Sequence, residues 1–365
     1  MYMTSDCNYI SLDKWLEGKK KLFLVCDSSL QFLKKFNNKL NEIRMPMIRF
    51  SGFQPNPLYE SVVEGVRLFR ETGCDSIMAV GGGSTMDVAK CIKLYASNPG
   101  TGKQGEWLES ESTPNTIPLL AMPTTAGTGS EATRYAVIYY DGEKQSITSD
   151  SIIPESVLFD ASALETLPVY QKKATMCDAL CHAIESFWSV NSTEESRELS
   201  KQAIRGVLMF MDDYLRNTEE GNIGMLITAN KAGKAINITQ TTAGHAMCYK
   251  ITSLFGCAHG HAAILCNRVL YPWMIENTNK CIDPRGQKYL NRILDEIGQA
   301  MGCADAVAGA KKLEEIFNQL ELDVPEATTE QYEVLKTSVN PVRLKNYPIE
   351  LDRETIDNLY HEILR

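Results

Sequence analysis

Short apolar runs and longer helical patterns alternate over the first 155 residues of this chain. Leu22–Cys26 has the pattern of a buried strand and ends at Asp27-Ser-Ser, which can cap the next element. Met47–Phe53 predicts a second strand, closed by Gln54-Pro-Asn-Pro57, and Leu58–Thr72 carries helical spacing. Ser76–Val80 runs into Gly81-Gly-Gly-Ser84, after which Met86–Tyr95 resumes the helical period. The polar stretch Pro99–Pro114 predicts an exposed loop. Pro118–Met122 is another strand pattern, followed by a Thr/Gly loop. Arg134–Tyr140, Asp141-Gly142 and the residues from Glu143 onward predict a β-hairpin with an Asp-Gly turn. Alternation of strand and helix predicts a parallel sheet covered on both faces.

From about residue 156 the texture changes. Glycine becomes sparse, and long helical patterns follow over Val169–Val190, Glu194–Leu215, Ile223–Thr252 and His261–Ile275. The tail from Tyr289 to Arg365 is also mostly helical in pattern. Two domains are expected: an α/β dinucleotide-binding domain over 1–155 and an all-α metal- and substrate-binding domain over 156–365. A length of 365 residues accommodates both.

Composition narrows the classes of function. A net charge of −9 points away from nucleic acid and anionic membrane surfaces as partners. No uninterrupted apolar run approaches the length of a membrane span. The N-terminus, Met1-Tyr-Met-Thr-Ser-Asp-Cys7, lacks the pattern of a signal peptide. Eleven cysteines without CxxC pairs predict free thiols and a reducing cytoplasm.

Two glycine-containing loops carry the first chemistry. Gly82, Gly83, Ser84 and Asp87 lie where a strand enters a helix, and an open helix N-terminus attracts a pyrophosphate. Thr124, Thr125, Thr128 and Ser130 supply small hydroxyls at another strand end, where ligands of open α/β sheets collect. Lys144, beyond the hairpin turn, joins this cofactor-binding set. Asp27 has two readings of equal weight, a cap for the next helix and an acceptor for an adenosine ribose. The second favours NAD over NADP, because a carboxylate repels a 2′-phosphate.

A second constellation suits a metal. Asp178 and His182 stand at i, i+4, which on a helix points both side chains off one face. His245 and His259 follow, so the chain commits three of its five histidines to this set. Three imidazoles and a carboxylate suit a divalent cation such as Fe²⁺, Zn²⁺ or Mn²⁺. A single histidine is more often structural; four ligands at these spacings downstream of a nucleotide-type loop reverse that preference.

These motifs together resemble the iron-containing (group III) alcohol dehydrogenases. The resemblance runs through Pro55-Asn-Pro57, Gly81-Gly-Gly-Ser-Thr-Met-Asp87, Pro123-Thr-Thr-Ala-Gly-Thr-Gly-Ser-Glu131, Asp178-Ala-Leu-Cys-His182-Ala-Ile-Glu185, Gly244-His245-Ala-Met and His259-Gly260. It implies a dehydroquinate synthase-like fold: an α/β N-terminal domain with a parallel sheet, an all-α C-terminal domain, and a metal in the cleft between them. It also implies NAD(H), a homodimer, reversible aldehyde reduction, and Asp178, His182, His245 and His259 as ligands, with no such role for His261. Many members carry a further histidine where this chain has Tyr249, which becomes the candidate for a substrate hydrogen bond or proton relay. The segments Gly244–Ser253, His259–His261 and Asn340–Pro348 are similar to reductases of sulfoacetaldehyde and phosphonoacetaldehyde. That narrower resemblance implies a small anionic aldehyde as partner. Arg134, Arg343 and Lys345 are the candidate cations for it. Alternatives are a general short-chain alcohol dehydrogenase and a dehydroquinate synthase-like lyase, although the lysine and arginine set expected of the latter is not apparent.

Overall fold

A computed structural model describes residues 2–4, 9–339 and 344–365. The chain divides into two compact units. The first comprises Met1–Leu167 with Asn217–Asn230, and the second Pro168–Arg216 with Lys231–Arg365.

The first unit is built on a six-stranded parallel sheet. Its strands are β1 (Tyr2–Thr4), β2 (Leu22–Cys26), β3 (Met47–Phe50), β4 (Ser76–Gly81), β5 (Leu119–Pro123) and β8 (Ser156–Phe159), in the order β1-β8-β5-β4-β2-β3. β6 (Tyr135–Tyr140) and β7 (Glu143–Thr148) form a separate antiparallel hairpin. Its turn residues Asp141 and Gly142 have φ of 50° and 76°, as a tight hairpin turn requires. β2, β4 and β5 are buried at every position, which explains their unbroken apolar sequences. Phe23, Val25, Ile77, Ala79, Leu119 and Ala121 enter one core cluster; Leu22, Leu24, Cys26, Met78, Val80, Leu120 and Met122 enter the other. This period of two assigns the sets to opposite faces of the sheet.

The helices of this unit are α1 (Ile10–Leu16), α2 (Lys34–Glu42), α3 (Tyr59–Thr72), α4 (Gly83–Tyr95) and α5 (Glu106–Glu109). α4 begins inside the glycine loop, three residues before the sequence pattern placed it. The segment 99–114 is not simply exposed loop. It contains α5, whose Trp107 is buried, stacks on Tyr95 and donates Nε1–H to the Pro99 carbonyl at 2.8 Å. The expected boundary at 155 falls short because β8 completes the sheet, and Asn217–Asn230 adds to the same unit.

The second unit is helical among its described residues. Its helices are α6 (Val169–Trp188), α7 (Glu194–Leu215), the latter part of α8 (Glu219–Thr239), α9 (Ala243–Phe255), α10 (His259–Glu276), α11 (Gln287–Ala300), α12 (Ala306–Gln319), α13 (Thr329–Ser338) and a C-terminal helix Arg353–Ile363. The single helix expected over 223–252 is two. The chain breaks at Gln240, with φ of 59°, and α9 starts afresh at Ala243. That break places His245 in the first turn of a helix.

Candidate metal centre and nucleotide loops

The potential ligands converge within the second unit. Asp178 Oδ1 lies 3.3 Å from His245 Nε2, 3.8 Å from His182 Nε2 and 4.0 Å from His259 Nε2. Donor atoms of Asp178, His245 and His259 all lie within 4.8 Å of one another. The His182 ring stacks on His245 with centroids 4.4 Å apart. A tetrahedral shell with bonds of about 2.1 Å has edges of about 3.4 Å. The donor set therefore fits a divalent cation in both chemistry and spacing.

Two glycines make this convergence feasible. A Cβ on Gly260 would stand 2.0 Å from the Ala174 carbonyl oxygen and 2.6 Å from Asp178 Cβ. α10 thus lies directly against α6, with His259 beside Asp178. A Cβ on Gly244 would come within 2.4 Å of Glu185 Oε1, so α9 starts against the same helix.

Glu185, which closes the Asp178–Glu185 motif, holds His245 from behind. It is fully buried, one turn beyond His182. Oε1 lies 2.5 Å from His245 Nδ1 and accepts from Asn267 Nδ2 at 2.9 Å. Oε2 accepts from the Thr242 amide at 2.6 Å and its hydroxyl at 2.8 Å. An ionised carboxylate only accepts, so Nδ1 carries the proton and Nε2 turns towards Asp178. Burial alone would raise the Glu185 carboxyl, but His245 and the other donors hold it down at about 2. Burial likewise raises Asp178, and the three imidazoles outweigh it and hold the carboxyl below its ordinary value. For His245 burial lowers the imidazole, while Glu185 and Asp178 raise it to about 9 in the metal-free protein. The sequence signal for Glu185 was its i, i+3 spacing from His182.

Cys248 acts similarly on His259. Its thiol donates to the His245 carbonyl, and its sulfur stands 3.7 Å from His259 Nδ1. The His259 side chain is 35 % exposed, against 7 % or less for the other three. Tyr249 is half-buried, and its ring stacks on His259 at 5.1 Å. His261 belongs to a different network. Its Nε2 lies 2.8 Å from the Asp323 carbonyl and its Nδ1 3.1 Å from the Tyr170 hydroxyl.

In the first unit, Asp27, the glycine loop and the threonine loop leave the carboxyl ends of adjacent strands. Register pairs Cys26 with Val80, and Gly81 with Pro123. Asp27 is a cap: Oδ1 accepts from the Ser29 amide at 2.8 Å. Oδ2 accepts from the Thr85 hydroxyl at 2.7 Å. A Cβ on Gly81 would meet Thr85 Oγ1 at 2.2 Å, so that bond requires glycine there. Gly82, Gly83 and Ser84 are half-buried at the start of α4. Thr124 is buried, and Thr125 and Thr128 are half-buried. The two loops touch, since a Cβ on Gly83 would lie 3.1 Å from the Thr128 methyl. Asp87 and Ser130 are joined to each other at 3.0 Å. Half-buried Lys144 on β7 helps to lower the Asp87 carboxyl, which burial raises.

The candidate cations for substrate are less concentrated. Arg134 pairs with Asp150 at 3.3 Å and with the Tyr135 hydroxyl at 3.2 Å in the first unit. Lys345 is exposed. Arg343 lies outside the described residues.

Comparisons with known proteins agree with this architecture. The family model for iron-containing alcohol dehydrogenase matches residues 9–161, and that for the C-terminal part of the Fe-containing family matches 172–364. Alcohol dehydrogenase 4 of Schizosaccharomyces pombe is 30% identical over 81% of this chain and 69% of its own length. Phosphonoacetaldehyde reductase of Streptomyces viridochromogenes is 29% identical over 83% of this chain and 80% of its own. The crystal structure of sulfoacetaldehyde reductase from Bifidobacterium kashiwanohense, in complex with NAD+, superposes with a TM-score of 0.88. That match is 23% identical, covers 100% of this chain and 96% of the other, and speaks for the fold.

Proposed function

The chain belongs to the iron-containing alcohol dehydrogenase family, and on that premise we propose that this NAD-dependent oxidoreductase reduces small anionic aldehydes to the corresponding alcohols. The observation that carries the reading is the meeting of Asp178, His245 and His259 around one point, with His182 stacked alongside. When bound, a divalent cation supplies Lewis-acid polarisation of a carbonyl and the dinucleotide supplies the hydride.

The protein's part is to hold and orient. Asp178, His182, His245 and His259 would hold the cation. Glu185 fixes the tautomer of His245, and Cys248 faces the distal nitrogen of His259. Gly82, Gly83 and Ser84 at the start of α4 would receive the pyrophosphate, with Thr124, Thr125 and Thr128 beside them. Asp27 would meet the adenosine ribose. Tyr249, packed on His259, is the candidate to give the proton that completes the alcohol, since its phenolic O–H is a donor beside the proposed cation site. Aldehyde, NADH and one proton thus become alcohol and NAD⁺.

The preference for anionic two-carbon aldehydes rests on the local sequence resemblance and on the phosphonoacetaldehyde reductase relative. The ten described cysteines are free, as a reducing cytoplasm would keep them, and no described helix is long and apolar enough to cross a membrane. The test is steady-state oxidation of NADH with sulfoacetaldehyde, phosphonoacetaldehyde and propionaldehyde under defined metal loading. Turnover of the charged aldehydes with higher kcat/KM supports the reading. Equal values for all three would make the protein a general short-chain alcohol dehydrogenase, and no aldehyde turnover would overturn the activity itself.

A further inference from the structure

A lysine lies where a core residue would ordinarily be apolar. Lys90 sits on α4, two turns inside the helix that opens at the glycine loop, and its side chain is fully buried. Burying an ammonium costs several kcal/mol unless its protons find acceptors. Here they do. Nζ donates to Ser130 Oγ at 3.0 Å, to Thr133 Oγ1 at 3.1 Å and to the Tyr135 carbonyl at 2.8 Å. All three acceptors lie on the short stretch from Ser130, in the threonine loop, to Tyr135, the first residue of β6.

The contacts continue outward from that segment. The Ser130 hydroxyl donates to Asp87 Oδ1 at 3.0 Å, and Asp87 Oδ2 accepts from the Val137 amide at 3.0 Å. The Ser130 amide donates to Thr128 Oγ1 at 3.2 Å, and Thr128 is the residue that touches Gly83. Buried Glu131 accepts from Asn230 Nδ2 at 3.0 Å. α4 therefore carries the glycine loop at its start and, two turns later, grips the segment that closes the threonine loop.

We propose that Lys90 is a positioning residue for the dinucleotide, its buried ammonium setting the geometry of the threonine loop relative to the glycine loop. The proposal rests on the reading that these two loops bind the dinucleotide. Lys90 need not touch the ligand; it acts through Ser130 and Thr128.

Its electrostatic setting adds a second readout. Burial draws the ammonium down to about 8, against the pull of Asp87, Glu131 and Cys91, which raise it. Lys144 acts on the same cluster through Asp87. A neutral amine has two protons for three acceptors, so the grip weakens when Lys90 loses its proton.

The experiment measures NADH affinity by nicotinamide fluorescence in the metal-loaded, full-length protein, for wild type and Lys90→Met. The variant is expected to bind NADH about tenfold more weakly, because Ser130, Thr133 and Tyr135 lose the shared donor that holds the threonine loop in place. Its kcat at saturating NADH should stay within about threefold of wild type, because no reacting atom is touched. Wild-type affinity should weaken as pH rises through the region of 8, and that step should be absent from Lys90→Met. If Lys90→Met does not fold, Thr133→Val removes a single acceptor and should raise the NADH dissociation constant by about three- to tenfold. A lowered melting temperature with unchanged NADH affinity in either variant would overturn the proposal and leave Lys90 a purely structural residue. Failure of the wild type to bind NADH would overturn the dinucleotide reading beneath it as well.

Discussion

At the scale of single residues, the organisation rests on buried charges that each have a named partner. Glu185→Gln conserves volume but replaces an acceptor oxygen by an amide that donates. One of its present donors, His245 Nδ1–H, Asn267 Nδ2–H or Thr242 N–H, must then face another N–H. Groups of this kind behind a ligating imidazole typically carry 10- to 100-fold in metal affinity. Competition with a chromogenic chelator should show a loss of about that size in Glu185→Gln; an unaltered affinity would refute the orienting role. His259→Ala should lose metal and turnover while circular dichroism stays native-like, since His259 is the most exposed of the four. Full metal occupancy with normal activity would exclude it as a ligand. Asp27 calls for a gentler change than removal, because it caps the turn after β2. Asp27→Asn keeps the cap acceptor and removes the charge, so NADPH should gain on NADH in kcat/KM. A wild type that already prefers NADPH would contradict the ribose assignment.

At the scale of elements, the sequence patterns were most legible where local period and burial agree. Glu194–Leu215 is helical over the expected residues, and the Asp-Gly hairpin lies where its turn pair stands. The break at Gln240 was not legible, because apolar residues keep helical spacing across it and neither glycine nor proline marks it. That omission mattered for chemistry: ending α8 there lets α9 begin next to Glu185. The i, i+4 pair Asp178 and His182 was readable because both lie on one helix. The partnership of Glu185 with His245 spans 60 positions and has no local signature. The glycines next to His245 and His259 tell the same story. Their role is helix contact, visible only once α6 lies beside them. Gly260→Ala forces a Cβ to within 2.0 Å of the Ala174 carbonyl oxygen, against backbone that cannot rotate away. Overpacking of this sort costs about 1–3 kcal/mol. Thermal unfolding of the metal-free protein should show the loss, and equilibrium dialysis should show weaker metal retention in the same variant. A variant with wild-type melting temperature and metal content would mean that α10 shifts freely along α6.

At the scale of the whole molecule, the proposed substrate and the protein carry charges of the same sign. The chain has a net charge of −9, so an anionic aldehyde approaches against the overall field and needs a local cation to bind. Arg134 is already paired with Asp150, and Lys345 is exposed. Arg343, in the segment similar to the anionic-aldehyde reductases, is therefore the position to test first, and an arginine matches a tetrahedral oxyanion through paired N–H donors. Loss of one such contact costs about 1.5–3 kcal/mol, or roughly 10- to 150-fold in kcat/KM. Arg343→Ala should show that loss with sulfoacetaldehyde or phosphonoacetaldehyde and little change with propionaldehyde. Raising ionic strength should diminish the difference between charged and uncharged aldehydes only where solvent-screened charge, rather than a desolvated contact, governs recognition. An equal loss for all three substrates would instead assign Arg343 to folding or to the dinucleotide. Undiminished activity towards the charged aldehydes would remove Arg343 from recognition and transfer the test to Lys345→Ala and Arg134→Ala.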